Sequence, residues 1–423
     1  MKKMISVLLT VCMVLSLFAV AAVSVGAEEG TSFYLVGTMT SPAWGINEAY
    51  KLTLNTAAQG KEYMINNVYL ESGTEFKVAN ADKTAWYPDG TDNNYQIESN
   101  GYFDIYFRPD YSGNTAYGWH YGTILAQRVY AVLKGYTTTV ADSVALNFYM
   151  YLDETNLPDY ATLTWGEGDR AKEVTIDQAG FIQTDEHDAN YKFTADVAAV
   201  SMNDEVTLTL TYADSPEKAF TGSVVKYCNL LKDNENTTEP QKKALDNMLD
   251  YGAAVQEYFE YRTFDLANGG HYQNQYPPYF EDLTTFDDVN DDDDLGVKFK
   301  GAILSMTSKL ALRLYYDIQD ITDLRVDVAG PGTTDRQLYY DGSRSLYYIE
   351  INQIPSCRLF GFDNRIDLIF SRNTIPESMT YNVDHYASKV VNNNEYNENF
   401  KNVMNRLYYY STTIGAAFNI SAQ

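Results

Sequence analysis

The chain repeats itself, and this limits its possible folds more than any other feature. Lys134-Gly135 returns as Lys300-Gly301, and Val144-Ala145-Leu146-Asn147-Phe148-Tyr149 returns as Leu310-Ala311-Leu312-Arg313-Leu314-Tyr315, both at an offset of 166. Further along, Val224, Tyr227, Tyr251 and Phe259 return as Val383, Tyr386, Tyr410 and Phe418 at an offset of 159. The difference implies a net deletion in the middle of the second copy. Residues 130–262 and 296–420 are therefore read as one supersecondary design used twice. Each copy opens with strand-like runs and closes with two helical stretches. In the first copy, Val224, Tyr227, Cys228 and Leu231 keep helical spacing, and Leu245, Met248, Leu249, Val255 and Phe259 form a longer apolar stripe. Thr238 and Gln241 predict a capping box before that stripe, with Pro240 in the first turn. In the second copy the long stripe is Phe400, Val403, Met404, Leu407, Ile414 and Phe418. Each copy is expected to be an α+β unit, strands followed by a helical hairpin packed on them.

Residues 31–127 read as all-β. Ser32-Phe33-Tyr34-Leu35-Val36 opens a strand that Gly37 ends, and Glu75-Phe76-Lys77-Val78-Ala79 and Tyr102-Phe103-Asp104-Ile105-Tyr106-Phe107 alternate. Glu71-Ser72-Gly73, Pro88-Asp89-Gly90 and Asn100-Gly101 carry turn chemistry between the runs. Short strands at this spacing suggest a β-sandwich. The expected architecture is mainly β and multidomain: an N-terminal sandwich, then two α+β repeats.

Residues 1–27 have the three parts of an export signal: Lys2 and Lys3, the apolar run Met4 to Val23, and the small residues Val25-Gly26-Ala27. The expected location is secreted, extracellular or at the cell surface, with no membrane-spanning segment once the signal is removed. The chain carries 31 Lys and Arg against 57 Asp and Glu, a net charge of −26. Such a charge repels nucleic acid and anionic lipid surfaces and suits neutral ligands. Outside the signal only Cys228 and Cys357 remain, one in each copy, too few for a disulfide-stapled scaffold. Four histidines without ligand spacing, and so few cysteines, predict no zinc site and no cofactor. Residues 265–294 read as a linker with Gly269-Gly270, Pro277-Pro278 and an acidic run from Asp287 to Asp294. Asp288, Asn290 and Asp292 match the first positions of a calcium loop. Asp293 stands where the turn needs glycine, and Phe299 where the bidentate acid belongs, so the run reads as solvated linker.

The residues that point to a ligand lie in the first all-β segment. Tyr34-Leu35-Val36-Gly37 is followed by Trp44, Phe76-Lys77-Val78 by Trp86, and then comes Gly90-Thr91-Asp92-Asn93-Asn94. Aromatic faces cover the C–H patches of a sugar ring, while amide and ammonium groups bond its hydroxyls. Residues 31–127 resemble the starch- and glycogen-binding sandwiches. These include family-48 carbohydrate-binding modules, the glycogen-binding domain of AMP-activated kinase β subunits and the outer-surface starch-binding modules of gut bacteria. The resemblance implies that Trp44 and Trp86 stack on glucose and that Lys77 and Asn93 bond hydroxyls, with Thr91 adjacent. The loop Thr38 to Ala43 departs from the family by lacking its Phe-Asn-Asn run, and the segment from Trp86 to Gly90 is shorter than the family's. Tyr87 and Trp119 are further candidate stackers, the alternative for Tyr117-Gly118-Trp119-His120-Tyr121 being packing onto the next domain. The repeats resemble uncharacterised modules of exported proteins from Gram-positive gut anaerobes, which implies surface display and points to no particular activity.

No Gly-x-Ser-x-Gly elbow, His-Glu-x-x-His or phosphate loop occurs, and the βα alternation of a glycosidase barrel is absent. The expectation is a non-enzymatic binder of an α-glucan polysaccharide: starch, glycogen or pullulan. The alternative is a scaffolding or adhesion protein whose repeats hold an extracellular protein partner or cell wall.

Overall fold

A computed structural model describes residues 31–140, 144–272, 295–306, 309–360, 364–372 and 375–418. The stretch read as an export signal and the acidic run of the stretch read as a linker lie outside the described residues. The chain is mainly β and multidomain, with a helical hairpin closing each of two strand-rich units.

The first unit is a sandwich of two antiparallel sheets. Its strands are β1 (Phe33–Gly37), β2 (Thr53–Leu54), β3 (Tyr63–Leu70), β4 (Glu75–Asn80), β5 (Trp86–Tyr87), β6 (Tyr95–Gln96), β7 (Gly101–Phe107) and β8 (Ile124–Val129). One sheet runs β1-β4-β5, with β6 also paired to β4, and the other runs β2-β3-β7-β8. The alternation read in β7 sends Phe103, Ile105 and Phe107 inward, where they meet Phe33, Leu35, Phe76 and Val78 of the opposite sheet. Every residue of β1 is buried, because its outer face is covered too. There Tyr34, Val36 and Ala79 form a small second cluster, with Ile46 and Trp86 packed on it.

The remaining strands and the four α-helices among the described residues form a larger body. Its first half contains β9 (Ala131–Thr139), β10 (Ala145–Leu152), β11 (Tyr160–Trp165), β12 (Lys172–Asp177), β13 (Ile182–Gln183), β14 (Tyr191–Asp196), β15 (Val206–Thr211), β16 (Lys218–Gly222), α1 (Val224–Asp233) and α2 (Glu239–Tyr258). Its second half contains β17 (Val297–Met306), β18 (Leu310–Ile318), β19 (Arg325–Ala329), β20 (Tyr339–Asp341), β21 (Leu346–Ile354), β22 (Ile366–Arg372), β23 (Ile375–Tyr381), α3 (Val383–Asn392) and α4 (Glu398–Ala417).

The halves share one strand order. The sheet β13-β14-β10-β9 corresponds to β20-β21-β18-β17, and β12-β11-β15-β16 to β19-β22-β23. Among the described residues the second half has no counterpart of β12, and its absence accounts for the shortening read from the two offsets. Both halves bulge at the same lysine. Lys134 and Lys300 are each skipped in the ladder, and the glycines that follow, Gly135 at φ 150° and Gly301 at φ 155°, adopt a backbone that side-chain-bearing residues rarely reach. Helix starts agree as well. Ser223 caps α1 and Asn382 caps α3 through their side chains, and Gln241 Oε1 accepts the Thr238 N–H at 2.9 Å at the start of α2.

One continuous apolar core runs through both halves, which the repeat alone does not reveal. Helices α2 and α4 lie against each other at the centre. Tyr251 and its equivalent Tyr410 stack with centroids 5.8 Å apart and planes at 15°. Asn247 Nδ2 reaches Tyr409 O at 3.4 Å, while Arg406, the equivalent of Asn247, reaches Asp250, the equivalent of Tyr409, at 3.2 Å. Such reciprocal contacts define a pseudo-twofold interface inside one chain. Only Tyr130 separates β8 from β9, and the joint is braced by the Arg128–Asp153 ion pair at 2.6 Å and the clustered rings of Tyr69, Tyr102 and Tyr151.

Candidate functional site

Strand pairing sets the outer face of the first sheet. Tyr34 lies opposite Ala79 and Val36 opposite Lys77, while Ala79 also faces Trp86 across the β4–β5 hairpin. Opposed residues share a face, so Tyr34, Val36, Lys77, Ala79 and Trp86 all project away from the sandwich core.

Trp44 reaches the same face from the loop after β1. Thr40, buried, shapes that loop: its hydroxyl donates to Gly37 O at 2.9 Å and accepts the Gly45 N–H at 3.2 Å. The Trp44 N–H returns to Gly37 O at 2.9 Å. Trp44 itself sits at φ 60°, a left-handed conformation costing a residue with a side chain about 1–2 kcal/mol. The result is a pair of half-buried indoles with ring centroids 6.4 Å apart and planes inclined at 49°.

Lys83, which the sequence reading did not single out, stands between them. Its ammonium donates to Trp44 O at 2.9 Å, and its own carbonyl accepts the Trp86 Nε1–H at 2.9 Å. The nearest sequence signal is the turn Asn80-Ala81-Asp82-Lys83-Thr84 that joins the two strands. Beside Trp86, the Tyr34 hydroxyl donates to Glu48 Oε1 at 2.7 Å. That hydrogen bond, with smaller help from burial, raises the phenol above its usual range.

Lys77 occupies the outer face without being open to a ligand. It is 5% exposed, and its ammonium donates to Pro88 O at 2.9 Å, Gly90 O at 2.7 Å and Asn93 Oδ1. Three donors meet three acceptors, so the loop from Pro88 to Asn93 folds over the charge and satisfies it. Burial pulls its pKa below the ordinary lysine value, with Asp89 and Asp92 opposing the shift. Asn93 is engaged on both sides, accepting from Lys77 and donating through Nδ2 to Asp89 O. Thr91 is exposed at the tip of that loop.

The two further stackers are placed elsewhere. Tyr87 alternates with Trp86 and therefore turns inward, against Phe107 at 4.9 Å and Phe33 at 6.0 Å. Trp119 is 8% exposed, with the Arg108 guanidinium 4.5 Å from its ring centroid. Gly113 lies so close to its other side that an added Cβ would sit 2.4 Å from Cδ2. Of the seven residues the sequence nominated, Trp44 and Trp86 form the open pair, and Lys77 and Asn93 hold the neighbouring loop.

Among the described residues no group of three or more His, Cys, Asp or Glu could hold a metal ion, and no helix is long and apolar enough to cross a membrane. Cys228 is a buried thiol pushed up to about 12 by burial and is not bridged to Cys357. No family model matches the chain, and no curated protein matches it.

Proposed function

We propose that the protein is an exported, non-catalytic binder of starch-type α-glucans, and that Trp44 and Trp86 form its sugar platform. The observation that carries this reading is the pair of half-buried indoles, 6.4 Å apart and inclined at 49° on the outer face of one sheet. A flat aromatic row suits an extended chain. Two inclined rings suit a curved one, in which successive glucose units present their C–H faces at an angle, as they do in an α-linked helix. The ligand is neutral, in keeping with a chain of net charge −26. Because the Trp86 Nε1–H is bonded to Lys83 O and Lys77 is saturated within the chain, affinity in this reading comes mainly from stacking.

Native electrophoresis of the purified chain through amylopectin, with xylan and plain gels alongside, tests the proposal. The wild type is expected to be retarded in amylopectin alone. Trp44→Ala and Trp86→Ala are each expected to lose about 2 kcal/mol or more of binding, roughly a thirtyfold drop in affinity. Retardation that survives both substitutions would move the site to the body. No retardation in any gel would overturn the glucan reading.

A further inference from the structure

We propose that Lys83 is the positioning residue of the Trp44–Trp86 platform, setting the angle between the two rings. Its use in glucan binding rests on the reading above; the geometry stands independently. One residue contacts both halves of the platform through different atoms. The Lys83 ammonium holds the Trp44 carbonyl at 2.9 Å, and the Lys83 carbonyl holds the Trp86 indole N–H at 2.9 Å. The contacts are long-range on one side and local on the other, spanning 39 and 3 residues. The side chain therefore ties the loop after β1 to the β4–β5 hairpin.

The backbone on both sides of the tie is left-handed. Trp44 is at φ 60° and Lys83 at φ 56°. Neither conformation is the resting choice of a residue with a side chain, and each must be held by contacts around it. For Trp44 the charge-assisted bond from Lys83 is such a contact, stronger than a neutral one. Without it the Trp44 loop keeps the Thr40 and Gly37 hydrogen bonds at its base but loses the link that aligns its tip with Trp86. Lys83 is exposed, and among the described residues its ammonium has no second acceptor. Two ammonium hydrogens thus remain at the rim of the platform, where a bound sugar would place its hydroxyls.

The test uses the full chain. Two indoles this close and inclined produce an exciton couplet in far-ultraviolet circular dichroism, and the difference between wild type and Trp86→Phe identifies it. Lys83→Met is expected to lose most of that couplet in the ligand-free protein while Lys83→Arg, which can still reach the Trp44 carbonyl, keeps it. Should Lys83→Met fold poorly, Lys83→Asn replaces it, since asparagine tolerates the left-handed backbone and is too short for the bond. Titration with maltoheptaose is expected to show about tenfold weaker binding for Lys83→Met and near-normal binding for Lys83→Arg. A full couplet in Lys83→Met and Lys83→Asn would overturn the positioning role, whatever the titration gives. Absence of maltoheptaose binding by the wild type would count against the glucan reading alone, since the couplet still decides the role of Lys83.

Discussion

The sandwich and the body each bring two aromatic residues together from distant parts of the chain, and they use them in opposite ways. Trp44 and Trp86 meet at 49° on an outer sheet face and stay half-buried. Tyr251 and Tyr410 meet at 15°, fully inside, where α2 and α4 close on each other. The difference lies in what surrounds each pair. The tyrosines occupy equivalent positions of the two halves, so the pseudo-twofold that joins the halves must bury them. The tryptophans come from a loop and a hairpin with no such symmetry, and nothing in the fold requires them to be covered. Tyrosine abundance, 37 residues, is therefore a poor guide to ligand binding here: the largest fully buried side chains include Tyr149, Tyr316 and Tyr410.

Removing a charge at the centre of the body should break this comparison most sharply. Asp250 is fully buried, with Arg406 at 3.2 Å and the Asn268 amide at 3.0 Å. Arg406→Ala removes the Arg406 guanidinium from beside this buried carboxylate and is expected to cost about 3–5 kcal/mol. In urea unfolding followed by tyrosine and tryptophan signals, the body should unfold earlier. The Trp44–Trp86 couplet should persist to the wild-type midpoint of the sandwich. Loss of both together would mean that the two regions fold as one unit through the short joint at Tyr130.

In the sandwich the equivalent test is Lys77→Met. The substitution strands three acceptors, Pro88 O, Gly90 O and Asn93 Oδ1, under a closed loop. Unmade bonds of this kind cost about 1–3 kcal/mol each, while methionine also removes the expense of burying an ammonium. A net loss of about 2 kcal/mol is expected, confined to the sandwich transition. Any loss of glucan binding should follow from the unfolded loop and be restored at low temperature. A stable Lys77→Met protein with abolished binding would return to Lys77 the hydroxyl-bonding role that the family resemblance implies.

Local patterns were legible in the sequence because their causes are local. The inward alternation of β7, the Thr238–Gln241 contact at the head of α2 and the apolar stripe of α4 each follow from side chains a few residues apart. The sharing of one core by the two halves was not legible, because it depends on α2 meeting α4 about 160 residues away, and apolar stripes do not name their partners. The site divides along the same line. Strand parity was enough to put Lys77 and Trp86 on one face. It was silent on the loop that folds over Lys77, on the Gly113 and Arg108 contacts that enclose Trp119, and on the bond that brings Lys83 to Trp44. These are contacts between loops, where residue type constrains geometry least.

The smallest effect at neutral pH belongs to Tyr212, and alkaline pH is where the two regions should drift apart. Tyr212 is buried in the body, its hydroxyl has no hydrogen-bond partner among the described residues, and burial pushes it up to about 12. In the unfolded chain it ionises near 10. Its folded pKa lies above its unfolded one, so its contribution is intact below about pH 10 and is lost as pH rises toward its folded value. The loss is about 1.4 kcal/mol for each pH unit in that window. Tyr212→Phe removes the term. It should leave stability at neutral pH unchanged or slightly raised, because an unpaired buried hydroxyl goes with it, and its advantage over wild type should grow steadily above about pH 10. Lys77 has the opposite sign. Its folded pKa is depressed, so the unfolded state holds the proton more tightly and this term gains stability as pH rises toward the ordinary lysine value. Urea midpoints of wild type, Tyr212→Phe and Lys77→Met should show the sandwich variant falling further behind as pH rises toward the ordinary lysine value, and the body variant gaining on wild type above about pH 10. Parallel midpoint curves for all three would mean that neither group titrates out of step with the unfolded chain.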